Sequence, residues 1–260
     1  MIRRPHGNPA EPQQWLLIPQ IDHAHLAGEL AGAWGNDRFA PLPGGEEALA
    51  AIYAHDDGWR AWDAAPDIDP ETGRPRNFLE MPLDTQLAIW RASIDRAASH
   101  GPLAPWMVAG HFAALLQGSS SSDTREGRAW LAEFDQRRQS WLAQCNASGC
   151  CTPAQTDQAL AMLQMFDGLS LWFCCAPRSE PHSFGVPAGQ HVSLAPDASQ
   201  DPAETTQRVS ISPWPMATDR LEIRVAGRLV PASGYRDQQS LLAELQSGPV
   251  ALLRWQLFPG

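Results

Sequence analysis

The chain has 260 residues, a formal net charge of -10 and an estimated pI near 5.2. That balance argues against a nucleic-acid backbone or an anionic membrane surface as the main partner, yet a few arginines in one cleft would suffice for a small phosphorylated molecule. All 19 basic residues are arginine, which excludes a Schiff-base or pyridoxal lysine, a P-loop lysine and a kinase-type lysine.

Residues 1–13 are polar and proline-rich and read as a loose arm. Trp15-Leu16-Leu17-Ile18 reads as a short strand and is too short for a signal or a membrane span. A helix is expected over 22–34, with Asp22 as its N-cap and Leu26, Leu30 and Trp34 on one side. A second helix is expected over 46–63. It carries His55-Asp56-Asp57-Gly58-Trp59 among the apolar positions Leu49, Ile52, Tyr53 and Trp62. A His-Asp pair on such a face is either a metal half-site or a paired structural group, because burying a lone ionised Asp is expensive.

The segment 66–78 is irregular and carries Arg74 and Arg76. Three more helices are expected at 84–100, 104–117 and 124–144, the middle one strongly apolar around His111. Thr152-Pro153 then opens a sixth, as N-cap and first-turn proline. Asp167 is the one charge between Asp157 and Arg178, so it needs a cation, a hydrogen-bond donor or a metal. Past Pro177 the chain turns rich in Pro, Ser and Gly. It then alternates through 209–212, 221–225 and 250–257 as strands, with Ala226-Gly227 as a hairpin turn and a short helix near 240–245. The expected fold is mainly α and α+β overall, a helical core over 1–177 followed by a linker and a small antiparallel β unit over 178–260 packed on it.

The five cysteines are Cys145, the adjacent Cys150-Cys151 and the adjacent Cys174-Cys175. Their odd count and the absence of any C-x-x-C spacing point to a reduced, cytoplasmic protein. No nucleophile elbow surrounds Ser170, since Gly168-Leu169-Ser170-Leu171 lacks the second glycine.

Histidines and carboxylates on apolar helix faces make a short set: His23 or His25, then His55-Asp56, then His111, then Asp167. This order resembles the HD-domain superfamily of metal-dependent phosphohydrolases, with its H…HD…D pattern. In detail the chain resembles an uncharacterised bacterial domain-of-unknown-function family of HD-like architecture. The shared stretches are Gln20–Gly28, His55-Asp56-Asp57-Gly58-Trp59, Pro75–Phe78, Gly110-His111-Phe112 and Asp167-Gly168-Leu169-Ser170-Leu171.

The resemblance implies His23, His55, Asp56 and Asp167 as metal ligands. His25 competes with His23, because two residues along a helix turn a side chain about 160° away. Mixed imidazole and carboxylate donors select Mn, Fe or Zn, with Mg and Ni as further options. Such an ion would activate a water against a phosphate ester or nucleotide. Asp57 or His111 would orient that water or protonate the leaving group, and Arg60, Arg74 or Arg76 would neutralise phosphate charge. The competing expectation is a non-catalytic helical protein that binds a metal, a ligand or a partner, with room for a homo-oligomer.

Overall fold

The computed structural model describes every residue except 9, 150, 176–179, 188 and 198–204. Its strands are β1 (Ile2–His6), β2 (Gln14–Ile18), β3 (His182–Val186), β4 (Gln190–Pro196), β5 (Thr206–Ser212), β6 (Leu221–Pro231) and β7 (Val250–Pro259). Its helices are α1 (Gln20–Ala33), α2 (Gly45–Ala54), α3 (Arg60–Ala64), α4 (Leu83–Ala97), α5 (Leu103–Gln117), α6 (Arg125–Ser148), α7 (Pro153–Cys175) and α8 (Gln238–Ser247).

All seven strands form one curled sheet in the order β1-β2-β6-β7-β5-β4-β3. Neighbours are antiparallel except β5 and β7, which run parallel. The expected helical core with a small antiparallel appendage is therefore overturned. The described residues are 52% helical and 22% strand, an α+β fold built on a large mixed sheet.

Three local features hid the sheet. The polar 1–13 arm contains β1, whose Ile2 is buried against the core while Arg3 and Pro5 are only partly covered. Ala226-Gly227 lies inside the continuous strand β6, not at a hairpin turn. A Cβ at Gly227 would sit 2.7 Å from Leu16 Cδ1 and 2.9 Å from the Leu17 carbonyl oxygen, so the glycine marks a close approach of β2 and not a reversal. Finally, β3 and β4 occupy part of the Pro/Ser/Gly-rich stretch, where Val192 and Leu194 alternate inward. Residues 178–179, 188 and 198–204 of that stretch lie outside the described residues.

One hydrophobic cluster joins the helices to the inner face of the sheet. It runs from Leu26 and Leu30 through Phe166 and Phe173 to Ile223, Val225, Trp255 and Leu257. Phe173 and Trp255 meet ring to ring at 5.2 Å. Burying each side chain of this size contributes about 1.5–3 kcal/mol. On the opposite face α8 adds Leu241 to a smaller cluster with Met1, Leu17, Val230 and Tyr235.

Helix boundaries follow the local chemistry with two exceptions. Thr124 caps α6 by accepting from Gly127 N at 3.0 Å, and Pro153 opens α7 behind Thr152. α1, by contrast, starts at Gln20 behind Pro19, and Asp22 falls inside the first turn instead of capping it. Its free N–H groups at Gln20 and Ile21 donate instead to Asp63 Oδ2, at 2.7 and 3.4 Å. The expected helix over 46–63 is also broken. α2 stops at Ala54, Asp56 leaves the helical region at φ -107°, ψ 18°, and Asp57–Trp59 forms a single 3₁₀ turn before α3. No helix among the described residues is long and apolar enough to cross a membrane.

Candidate metal centre

The break after α2 builds the centre. Gly58 packs against α4: a Cβ there would overlap the Ile89 carbonyl oxygen and lie 2.6 Å from Ser93 N. Gly58 N also donates to Ser93 Oγ at 2.9 Å. With Trp59 buried, this turn is pinned to α4 and fixes the two residues before it. His55 and Asp56 therefore point inward from a helix end, not from a helix face.

Four further groups converge on them: His23 from α1, His111 from α5, and Asp167 and Ser170 from α7. His23 Nε2 lies 2.8 Å from Asp56 Oδ2 and 3.9 Å from Asp167 Oδ1. His55 Nε2 lies 3.4 Å from Asp167 Oδ1 and 3.8 Å from Asp56 Oδ2. His111 Nε2 stands 3.8 Å from Asp167 Oδ2. The His55 ring meets the His23 and His111 rings edge to face, at 5.3 and 5.6 Å. All three histidines are buried, and Asp167 is the most open member at 14% side-chain exposure.

The outer hydrogen bonds decide which ring nitrogens are available. His55 Nδ1 lies 2.7 Å from the Ile52 carbonyl oxygen, an acceptor only, so Nδ1 carries the proton. Ser170 Oγ donates to the Asp167 carbonyl at 2.9 Å and lies 2.9 Å from His23 Nδ1. Its single proton is thus engaged, and it accepts from His23 Nδ1–H. In both rings Nε2 is left facing carboxylate oxygens. Two acceptors at 2.8 Å need a proton or a cation between them, and His55 Nε2 has no hydrogen-bond partner that meets normal geometry.

The electrostatics agree. Burial opposes the charged form of His55, but the carboxylates of Asp56 and Asp167 outweigh it and raise the pKa to about 9. Burial likewise opposes ionisation of Asp56 and Asp167, and the surrounding imidazoles overcome it and hold both carboxyls below their ordinary range. Burial lowers His111 despite Asp167, keeping it a neutral imidazole near pH 7.

A divalent ion fits this donor set. Bonds of about 2.0–2.2 Å place octahedral neighbours about 3 Å apart and opposite donors about 4 Å apart. His23, His55 and Asp167 offer ligand atoms all within 4.8 Å of one another, and Asp56 adjoins the two imidazoles at the distances given above.

Other expected residues are not gathered here. His25 is exposed and packs edge to face on Tyr53 at 5.7 Å. Asp57 pairs with Arg60 at 2.6 Å on the outer side of the turn. Arg76 is engaged by the Glu80 and Ile68 carbonyls and by Asp69, and Arg74 stands exposed on its loop. Ser170 was given no role by the sequence, although its i, i+3 spacing from Asp167 places both on one helix face. Gln20, whose Nε2 reaches Asp56 Oδ2 at 3.4 Å, opens a shared stretch but was given no role of its own.

The geometry defines a class: an α+β protein with a buried imidazole–carboxylate cluster that could hold a metal ion. The chain belongs to the family described as Protein of unknown function (DUF3891), whose model matches residues 8–232. No curated protein and no solved structure matches it.

Proposed function

We propose that the centre holds a divalent metal ion through His23, His55, Asp56 and Asp167 and serves to hydrolyse a small phosphorylated molecule, in the manner of HD-domain phosphohydrolases. The observation that carries the reading is the pair of fixed tautomers. Ile52 and Ser170 occupy both Nδ1 atoms, so two Nε2 atoms are turned toward two carboxylates, where a metal could replace a proton. The bound ion would supply Lewis acidity and an activated water. The chain's own residues hold it, exclude bulk water from all sides but that of Asp167, and set a neutral His111 beside Asp167 to take or return a proton.

A second reading, a metal or ligand binder without turnover, draws on one observation. Arg60 and Arg76 are engaged elsewhere and Asp57 faces Arg60, so none of these groups is poised to meet a phosphate at the centre. The test is a panel of phosphate esters and nucleotides assayed with Mn-loaded protein and with His55→Ala. The proposal expects hydrolysis that needs both metal and His55. A loaded protein that turns over none of the panel refutes the hydrolase and leaves the binder.

A further inference from the structure

The outer face of the sheet carries a second polar feature that the metal centre does not use. In the antiparallel pair β6–β7, Arg224 stands directly opposite Arg254, and Thr206 of β5 completes the row. Directly opposed side chains have Cβ atoms about 4.5–5.5 Å apart, and like charges so placed are destabilising. β2 pairs with β6 only from Arg228 to Pro231, and α1 packs beside the rest of the strand. α1 and Tyr53 thereby wall an open cavity of about 860 Å³ that both arginines line. That size falls within the roughly 300–1,000 Å³ of small-molecule sites.

Neither guanidinium has a carboxylate oxygen within 4.0 Å among the described residues. Glu29 in the wall acts on Arg224 only through space. Glu222, diagonal to Arg254 and within reach of its long side chain, makes no ion pair with it. One pleat away the contrast is plain: Arg208 is held by Asp197 at 3.4 Å and lies over the Phe258 ring at 4.8 Å. In a chain with 29 acidic residues against 19 basic ones, two opposed, exposed arginines lining one cavity make a local patch of positive charge that an anion would neutralise.

We infer that Arg224 and Arg254 bind the phosphate group of a small molecule, at a site separate from the metal centre. One guanidinium fork saturates a carboxylate, whereas two forks offered from directly paired positions of adjacent strands suit a dianion with three free oxygens. Glu29 and Glu222 at the margins confine the anion to the arginine pair and accept from hydroxyl groups on the remainder of the ligand.

The test is titration calorimetry of inorganic phosphate, and separately of malonate, into the full chain at fixed ionic strength. The protein is first dialysed against a chelator, so that binding at a metal cannot contribute. Phosphate is expected to bind saturably, with malonate at least tenfold weaker. Arg224→Gln and Arg254→Gln should each weaken phosphate by about tenfold or more, the usual worth of a charged hydrogen bond. Arg228→Gln, on the same strand face beyond the cavity, should leave it unchanged. Without phosphate, Arg224→Gln should melt no lower than the parent, because the substitution relieves the opposed charges; that separates a lost ligand site from a lost fold. Absent or non-saturable binding, equal affinity for malonate, indifference to both substitutions, or binding that appears only with added Mn would each overturn the inference.

Discussion

Gly58→Ala perturbs the metal centre without altering any side chain in it. A Cβ at Gly58 would overlap the Ile89 carbonyl oxygen and lie 2.6 Å from Ser93 N and 2.7 Å from Ser93 Oγ. Two of these three atoms belong to the backbone of α4, which cannot rotate aside without breaking its own hydrogen bonds. Overpacking of this kind costs about 1–3 kcal/mol, and unyielding neighbours place Gly58→Ala at the upper end. For a chain of this size about 3 kcal/mol lowers Tm by roughly 6–12 °C. The same turn fixes His55 and Asp56, so Mn affinity should fall with it. Gly28→Ala makes the natural comparison: its Cβ would overlap the Tyr53 ring, whose atoms are the nearest to it and belong to a half-buried side chain and not a backbone. That variant should lose about 1 kcal/mol or less and keep its metal. Thermal melts and Mn titrations of both variants provide the check. A Gly58→Ala protein that melts within about 2 °C of the parent and binds Mn equally well would refute the reasoning.

Ser170→Ala leaves His23 Nδ1 buried without its acceptor. It should cost about 1–3 kcal/mol in urea unfolding and weaken Mn binding about 10–100-fold; unchanged Mn affinity would show that Ser170 does not orient His23. The pH dependence of the metal-free protein follows from His55, whose folded pKa of about 9 lies above its ordinary 6.5. Its stabilising contribution is complete below pH 6.5 and is lost as the pH rises through 9. The lowered Asp56 and Asp167 act oppositely, contributing above their ordinary value of 3.8 and losing that contribution on acidification. Because a metal must displace the His55 proton, the Tm increment from added Mn should be larger at pH 8.5 than at pH 6. An increment independent of pH would show that His55 is not a ligand.

The centre was far more legible in the sequence than the fold that carries it. Charged and imidazole groups inside apolar stretches stand out because burial is expensive for them. His23, His55, Asp56, His111 and Asp167 are all indeed brought together. What periodicity could not supply was the backbone at the His-Asp pair. Apolar spacing continues past Ala54 as though the helix did, while the break is set by the fit of Gly58 against α4. The sheet was harder still, since its strands come from both ends of the chain and pair at long range. β1 and β3 are short edge strands with little apolar content, and the glycine in β6 records a contact with Leu16 that lies 211 residues away in sequence. Ser170, weighed only as a nucleophile, was given no positioning role because a serine gives no sign of burial until its partners are known. The arginines next to the motif attracted a substrate role by proximity in sequence alone, and the loop and turn engage two of them locally.

The metal content of protein purified without chelator, measured by mass spectrometry alongside His55→Ala and Asp167→Asn, tests the central claim most directly. The predicted result is close to one equivalent of Mn, Fe or Zn per chain in the parent and little in either variant. A parent protein that carries no metal and whose melting is unmoved by added Mn, Fe or Zn would contradict it, as would metal retained in full by both variants.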